Sequence, residues 1–222
     1  YRPEIDGLRA IAVLAVIFYH AEIILFGRNY FQGGYLGVDI FFVISGYLIT
    51  TFILKELKHT GKFSFLNFYE RRVRRILPAL FTVMLVSLPI GWLYLLPISF
   101  VDFTKSILSS IFFGSNYYFY YTGQIYNAES SLLKPFLHTW SLSIEEQFYI
   151  IFPLLLILFL KFFKKYIYYV FAIGIFTSLL LADWGSKNYP SLTFYSLPAR
   201  GWELLLGAFL SQLEISYGRK DY

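Results

Sequence analysis

Long apolar stretches alternate with short polar ones along most of this chain. A helix needs about 20 mostly apolar residues to cross a bilayer. Six stretches reach or approach that length, and the last is the start of a crossing: Leu8–Phe26, Tyr35–Leu57, Ile76–Leu96, Ile144–Leu160, Ile167–Trp184 and Trp202–Leu213. We therefore predict an all-α fold, a polytopic transmembrane helical bundle with six full crossings.

A further stretch, Val101–Tyr121, is ambiguous, because its polar and aromatic second half suits a membrane interface better than the hydrocarbon centre. Cytoplasmic loops gather Lys and Arg. If this stretch does not cross, 14 of the 19 Lys and Arg residues lie on the cytoplasmic side, and if it crosses, 12 do. We therefore expect a re-entrant or interfacial segment, and a cytoplasmic N-terminus in either case.

The composition agrees with a membrane protein. The 222 residues are 57% hydrophobic and 15% charged, whereas soluble domains are about 45–50% apolar and about 25% charged. The absence of cysteine excludes disulfide scaffolds, cysteine zinc sites and thiol nucleophiles. The net charge of +5 would suit nucleic acid, but the cations lie between apolar stretches. We expect no nucleic-acid partner, and the histidine spacing predicts no metal site.

The ends of the chain suggest that it is part of a longer protein. It begins without methionine and ends just after an apolar stretch. We therefore expect residues 1–222 to be the N-terminal part of a membrane domain whose C-terminal helices are missing.

Two polar residues in the first apolar stretch form a candidate site, because polar groups are costly inside a membrane. Arg9 and His20 are eleven residues apart, so they share one helix face, roughly 16 Å apart along the axis. Arg9 would lie near the cytoplasmic interface and His20 beyond the bilayer centre. An imidazole can take a proton from an attacking hydroxyl. In the alternative interpretation, His20 bonds a neighbouring helix and Arg9 is an interfacial anchor.

An arginine cluster, formed by Arg71, Arg72, Arg74 and Arg75, precedes the third apolar stretch. Four arginines exceed what topology requires, and guanidinium groups bind phosphate through two parallel hydrogen bonds. A phosphorylated cytoplasmic ligand would explain them. Contact with anionic lipid headgroups is the alternative.

A polar segment leads directly into the fourth apolar stretch. His138 and Glu145 are seven residues apart and share one face of a helix, with Glu146 one position round. A carboxylate near an imidazole can orient it and stabilise its charged form. Alternatively, Ser141 or Ser143 caps the helix and the glutamates are favoured by its dipole.

Two further charged positions complete the candidate set. Asp39 lies near the outer end of the second predicted helix, and Arg200 and Glu203 begin the last one. We interpret Arg200 and Glu203 as an internal ion pair with a mainly structural role.

Taken together, these motifs resemble a known family, the integral-membrane acyltransferase-3 family. Its bacterial members O-acetylate lipopolysaccharide, peptidoglycan or exopolysaccharide. The resemblance covers essentially the whole chain and rests on four motifs in register: Asp6-Gly7-Leu8-Arg9 with ten residues to His20, Gly37–Tyr47, Arg72-x-x-Arg75-Ile-Leu-Pro, and His138–Tyr149. On this basis the chain would be a truncated acyltransferase-3 core.

The resemblance implies a donor site that opens to the cytoplasm. Acyl-CoA, usually acetyl-CoA, would be the donor substrate, with its phosphates held by Arg72 and Arg75 and with help from Arg71 and Arg74. Arg9 would line the donor path within the membrane.

The resemblance also implies roles on the outer side. His20 would be the general base on the acceptor hydroxyl, or a transient acyl carrier, with Glu145 or Glu146 orienting it. Asp39 would position the acceptor. The acceptor would be an extracytoplasmic glycan or a lipid-linked sugar, modified at the cell inner (plasma) membrane.

Other classes of function fit part of the sequence. Intramembrane histidine, aspartate and arginine also build proton relays, so a polytopic transporter or flippase for a sugar or lipid-linked substrate is the main alternative. A purely structural membrane subunit is a third.

Overall fold

The computed structural model describes residues 2–25, 28–124 and 134–218 and is helical over most of that length. The helices are α1 (Pro3–His20), α2 (Leu36–Thr60), α3 (Phe65–Tyr94), α4 (Pro97–Ile111), α5 (Ser115–Gly123), α6 (Thr139–Phe163), α7 (Ile167–Asn188), α8 (Pro190–Tyr195) and α9 (Leu197–Tyr217). A single 3-10 turn, Lys164–Tyr166, joins α6 to α7. Two short antiparallel strands, β1 (Ile24–Leu25) and β2 (Arg28–Asn29), pair with Ile24 opposite Asn29.

Local signals in the sequence explain several helix ends. Ser64 precedes α3, and its hydroxyl accepts a hydrogen bond from the Asn67 N–H at 3.4 Å, which satisfies an otherwise unpaired donor. Gly61 ends α2 with a φ of 70°, a left-handed conformation that favours glycine. Pro3, like the prolines that open α4 and α8, lies in a first helical turn, where its missing N–H costs nothing.

Each of the six predicted apolar stretches contains a helix in the described residues, and the all-α prediction is confirmed apart from the two-residue strands. Among the described residues, two helices, α2 of 25 residues and α3 of 30, are long and apolar enough to cross a membrane, and an 18-residue segment of each has a mean hydropathy of 1.9 and 2.0, respectively. At a rise of 1.5 Å per residue, both exceed the roughly 30 Å hydrocarbon core. Six crossings remain a prediction.

The first predicted boundary needs a correction. The apolar stretch was expected to continue to Phe26, which lies outside the described residues, but α1 ends at His20. Glu22 adopts a φ of 48°, which is incompatible with a right-handed helix. His20 is therefore at the end of its helix and not within it.

The ambiguous stretch, Val101–Tyr121, is not one helix. It divides into α4, of 15 residues, and α5, of nine residues, at a turn where Phe113 has a φ of 52°. Neither helix alone spans a 30 Å core, since their lengths are about 22 and about 14 Å. This break agrees with the expectation that the stretch makes no full crossing, and a re-entrant or interfacial placement stays a prediction.

Buried hydroxyl groups hold this break against α6. The Ser115 and Ser143 hydroxyls are 2.7 Å apart, as are those of Ser110 and Thr139. Gln147 donates a hydrogen bond to the Phe113 carbonyl at 2.8 Å. Non-helical backbone is tolerated at membrane depth only where protein satisfies its polar groups, and these contacts do so.

The closest helix contact joins α2 to α9. A Cβ atom added at Gly46 would lie 1.9 Å from the Leu204 carbonyl oxygen, and one added at Gly207 would lie 1.9 Å from that of Val43. The two backbones therefore touch at both glycines, the small-residue packing that brings helices together in membranes. Fully buried side chains from α2, α6 and α9 surround this contact: Phe42, Ile53, Ile144 and Leu204.

We predict that Gly46→Ala destabilises the folded protein by about 1–3 kcal/mol, because the added methyl group forces α2 away from α9. Thermal unfolding in detergent would measure the loss.

Gly7→Ala is the matched control. Gly7 also lies in a helix, but an added Cβ would meet nothing within 4 Å, and alanine is the better helix former. Equal stability of the two variants would contradict the close contact between α2 and α9.

Candidate active site

A cavity of about 250 Å³ lies between α1, α2, α3 and α6. Its walls combine arginines with aromatic and aliphatic side chains: Arg9, Ser45, Leu48, Ile49, Phe52, Phe68, Arg71, Arg72, Arg75 and Tyr149. We call it the arginine cavity. Four guanidinium groups beside an apolar wall can bind an anionic ligand that also carries an apolar part.

The arginines of α3 do not all have the same surroundings. Arg74 is 78% exposed, pairs with Glu70 at 2.7 Å and does not line the cavity. Arg71 pairs with Glu56 at 3.4 Å. Arg72 and Arg75, three residues apart on one face of α3, line the cavity, and neither has a carboxylate within ion-pair distance in the part of the chain that the structure describes.

Arg9 reaches the same cavity from α1, although about 60 residues separate it in sequence from the arginines of α3. Its Nη1 atom lies 3.4 Å from the Asp6 carboxylate. Close packing brings α1 against α2: a Cβ added at Gly37 would lie 2.4 Å from the Ala12 carbonyl oxygen. The sequence predicted both arginine sets, and the tertiary structure brings them together.

Glu145 has a different neighbour from the one predicted. Its Oε1 atom accepts a hydrogen bond of 2.7 Å from the hydroxyl of Ser45, which lines the arginine cavity. The cations that act on its charge are Arg72, Arg9 and Arg75. Glu145 is therefore part of the surroundings of the arginine cavity.

Helix register separates Glu145 from His20. Gly34 faces Ala15 and Gly37 faces Ala12, so α1 and α2 run antiparallel. Continuing this register puts Ser45, and with it Glu145, roughly 24 Å from His20 along the helix axis at 1.5 Å per residue. The expected orienting contact from Glu145 to His20 does not fit this arrangement, because side chains cannot bridge such a separation.

His20 has a local partner. Its Nδ1 atom lies 2.9 Å from the carbonyl oxygen of Val16, which can only accept, so Nδ1 must carry a proton. In the neutral ring, Nε2 is then the acceptor. Tyr19 contacts the imidazole edge to face, with 5.1 Å between centroids. These contacts give His20 the tautomer that a base requires.

His138 precedes α6, and its ring stacks on Phe136 with centroids 5.9 Å apart. Partial desolvation lowers the pKa of the His138 imidazole, and the neighbouring His20 lowers it further. His138 is thus associated with the His20 end of the bundle. Glu146, by contrast, is buried in α6, and its Oε1 atom has no hydrogen-bond partner among the described residues.

A cluster of three charged side chains joins α2 to α9. Arg200 donates hydrogen bonds to Asp39 at 2.9 Å and to Glu203 at 3.0 Å. The predicted ion pair between Arg200 and Glu203 is confirmed, and Glu203 is 1% exposed. The partner of Asp39 was not predicted from the sequence, because 161 residues separate it from Arg200.

Two cavity residues with hydroxyl groups, Ser45 and Tyr149, were not predicted from the sequence. Both lie inside motifs that carry the family resemblance, Gly37–Tyr47 and His138–Tyr149. Tyr149 follows Glu145 by four residues, a spacing that puts both on one face of α6. This spacing could have indicated from the sequence that Tyr149 lies beside Glu145.

Comparison with known proteins identifies the family. The model of the family described as acyltransferase domain matches residues 2–220. The chain is 38% identical over 217 residues to the peptidoglycan O-acetyltransferase OatA of Listeria monocytogenes, which is 95% of this chain and 34% of that protein. It is 34% identical over 214 residues to the O-acetyltransferase OatA of Staphylococcus aureus, or 95% of this chain and 34% of that protein.

The chain spans about a third of the length of these relatives. No solved structure matches it. The matches support an acyltransferase enzyme, and they give no support to a transporter or flippase. Members of the family are membrane proteins, with which the apolar helices α2 and α3 agree. The chain belongs to the acyltransferase-3 family, whose acyltransferase-domain model matches nearly its whole length.

Proposed function

We propose that this chain binds acyl-CoA, in particular acetyl-CoA, from the cytoplasm and passes the acetyl group to a hydroxyl of an extracytoplasmic glycan. The arginine cavity is the observation that carries this proposal. It gathers Arg9, Arg71, Arg72 and Arg75 from two helices around one space. Guanidinium groups bind phosphate oxygens through paired, charge-assisted hydrogen bonds, and CoA carries several phosphates.

The separation between the cavity and His20 supports the same donor. Arg9 lines the cavity, and His20 lies eleven residues farther along α1, roughly 16 Å along its axis. An acyl group must therefore be held far from the phosphates that anchor its carrier. CoA meets this requirement, because its acyl group is at the end of the long pantetheine arm.

His20 is the proposed general base. Since Nδ1 is committed to the Val16 carbonyl, Nε2 is available to take the proton of an acceptor hydroxyl as it attacks the acyl carbonyl. The hydroxyl oxygen forms the new ester bond, the bond to the CoA sulfur breaks, and the thiolate leaves. General-base assistance of this kind contributes roughly 10²–10⁴-fold.

The remaining predicted residues receive supporting roles. Glu145 would hold the arginine side chains of the donor site in position, since its charge interacts with theirs. His138 would act beside His20. Asp39, held by Arg200, would fix the outer part of α2 where the acceptor approaches.

The name of one relative supports a proposal for the acceptor and the membrane. One relative is named a peptidoglycan O-acetyltransferase, and we propose peptidoglycan or a similar cell-envelope glycan as the acceptor. The cationic end of α3 would then face the cytoplasm at the inner (plasma) membrane, in keeping with the placement of Lys and Arg in cytoplasmic loops.

We predict that His20→Ala lowers transfer at least a hundredfold, because the acceptor hydroxyl loses its base. The full-length protein in membrane vesicles, supplied with acetyl-CoA labelled in its acetyl group, would be followed by base-labile label in the glycan.

His59→Ala is the control for this variant. His59 is exposed in the last turn of α2, and its replacement should leave transfer unchanged within about twofold, an effect small on the scale of general-base catalysis. Both variants should insert into membranes normally. A loss below tenfold in His20→Ala would remove His20 from the base role.

We predict that the double variant Arg72→Gln with Arg75→Gln raises the KM for acetyl-CoA at least tenfold, since hydrogen bonds to charged groups contribute about 1.5–3 kcal/mol each. Initial rates at varied acetyl-CoA would measure the change.

Arg74→Gln is the matched control from the same helix, because the Arg74 side chain pairs with Glu70 outside the cavity. It should leave the KM within about twofold, as expected for loss of an exposed helical ion pair. An equal rise in KM in both proteins would indicate a diffuse charge effect instead of a phosphate site.

A further inference from the structure

One residue of the arginine cavity, Tyr149, has an unusually close relation to an arginine. The Cζ atom of Arg72 lies 3.7 Å from the centroid of the Tyr149 ring. For comparison, Arg71 lies 4.5 Å from the Phe52 ring and is also paired with Glu56. At 3.7 Å the Cζ atom lies over the ring within van der Waals contact, where attraction to the π-electrons is strongest.

The Tyr149 ring is held firmly in place. The residue is 2% exposed and lies in the middle of α6, four residues before the buried Pro153. Tyr69 of α3 donates its hydroxyl toward the backbone of this part of α6, 3.4 Å from the Tyr149 carbonyl and 3.0 Å from that of Ile150. The ring is thus a rigid surface on the α6 side of the cavity.

The same face of α3 provides both contacts. Tyr69 and Arg72 are three residues apart, so they are neighbours on the helix surface. Tyr69 donates a hydrogen bond to the backbone of α6, and Arg72 stacks on the Tyr149 ring of the same helix. The position of α3 against α6 and the position of the guanidinium group are therefore set together.

Stacking has a specific consequence for anion binding. An arginine side chain is long and flexible, and fixing it costs rotamer entropy. Contact through the face of the guanidinium plane leaves the N–H groups at its edges available for phosphate oxygens. A stacked arginine has already lost its rotamer freedom before the ligand arrives, and preorganisation of this kind strengthens binding.

We propose that Tyr149 is a positioning residue of the donor site: its ring holds the Arg72 guanidinium in the orientation that receives a phosphate group of acyl-CoA. This inference rests on the proposed function, and it identifies how the site is ordered. The Arg72 guanidinium lies over the ring, and the Tyr149 hydroxyl also interacts with Arg72 and Ser45, so the ring and the hydroxyl are tested separately.

The test compares Tyr149→Phe with Tyr149→Leu in the full-length protein in membrane vesicles, with acetyl-CoA varied at saturating acceptor. Tyr149→Phe keeps the ring and loses only the hydroxyl, so it should raise the KM for acetyl-CoA less than Tyr149→Leu does. Tyr149→Leu removes the ring and should raise the KM by roughly threefold to thirtyfold, the range of a cation–π contact. The kcat should change less than twofold in either variant, because Tyr149 lies at the far end of the donor from His20.

A double-variant cycle connects the effect to Arg72. In an Arg72→Lys background, which keeps the charge but removes the planar group, Tyr149→Leu should raise the KM no further. Inhibition by adenosine 3′,5′-bisphosphate, a fragment of CoA with phosphates and no acyl arm, should weaken in parallel with the KM. A residue that only packs α6 would lower kcat or membrane yield without this coupling.

Different results would overturn the positioning role of Tyr149 and the proposed acyltransferase function. Additive effects of Tyr149→Leu and Arg72→Lys would overturn the positioning role, as would an unchanged KM in Tyr149→Leu. If Tyr149→Leu fails to accumulate in membranes, Arg72→Lys alone decides, since an unchanged KM in that variant overturns the proposal. A wild-type protein that neither binds nor consumes acetyl-CoA would instead overturn the proposed function.

Discussion

The close contact between α2 and α9 positions the helices that pack around α2. Gly46 and Gly207 let each backbone touch a carbonyl group of the other helix. Lipid tails are as apolar as leucine, so membrane helices associate through close packing and hydrogen bonds and not through hydrophobic burial. A hydrogen bond of 2.7 Å between the hydroxyls of Thr51 and Ser211 extends this contact. With α2 fixed in this way, the helices around it acquire a defined register.

The functional side chains are arranged at successive levels along α2. Asp39 binds Arg200 near the start of α2, and Ser45 and Tyr47, near its middle, bind Glu145 and Glu214. Each contact joins α2 to a different position on α6 or α9. This arrangement separates a histidine end of the bundle from an arginine end.

Carboxylates divide the arginine cluster into two groups. Glu70 binds Arg74 within one helix, and Glu56 binds Arg71 between helices, so these two cations have partners. Arg72 is held instead by an uncharged ring, which leaves its charge uncompensated at that contact. An anion site requires such cations, because a guanidinium already paired with a carboxylate must break that pair before it binds phosphate. The four arginines look alike in the sequence, but their different partners in the structure make some more available to an anion than others.

Composition and spacing within single segments were enough to predict the helical class, the apolar segments, the charged motifs and the family resemblance, because helix formation and membrane preference depend on local composition and on spacing of 3.6 residues per turn. The ion pair of Arg200 with Glu203 was predictable too, since it lies within one helix. Three contacts were visible only in the folded protein: Glu145 lies with the arginines, Arg200 also binds Asp39, and Tyr149 stacks on Arg72. These contacts join residues distant in sequence, and their geometry depends on how far each helix slides and turns against α2. The close approach at the glycines fixes that register, and no single segment carries it.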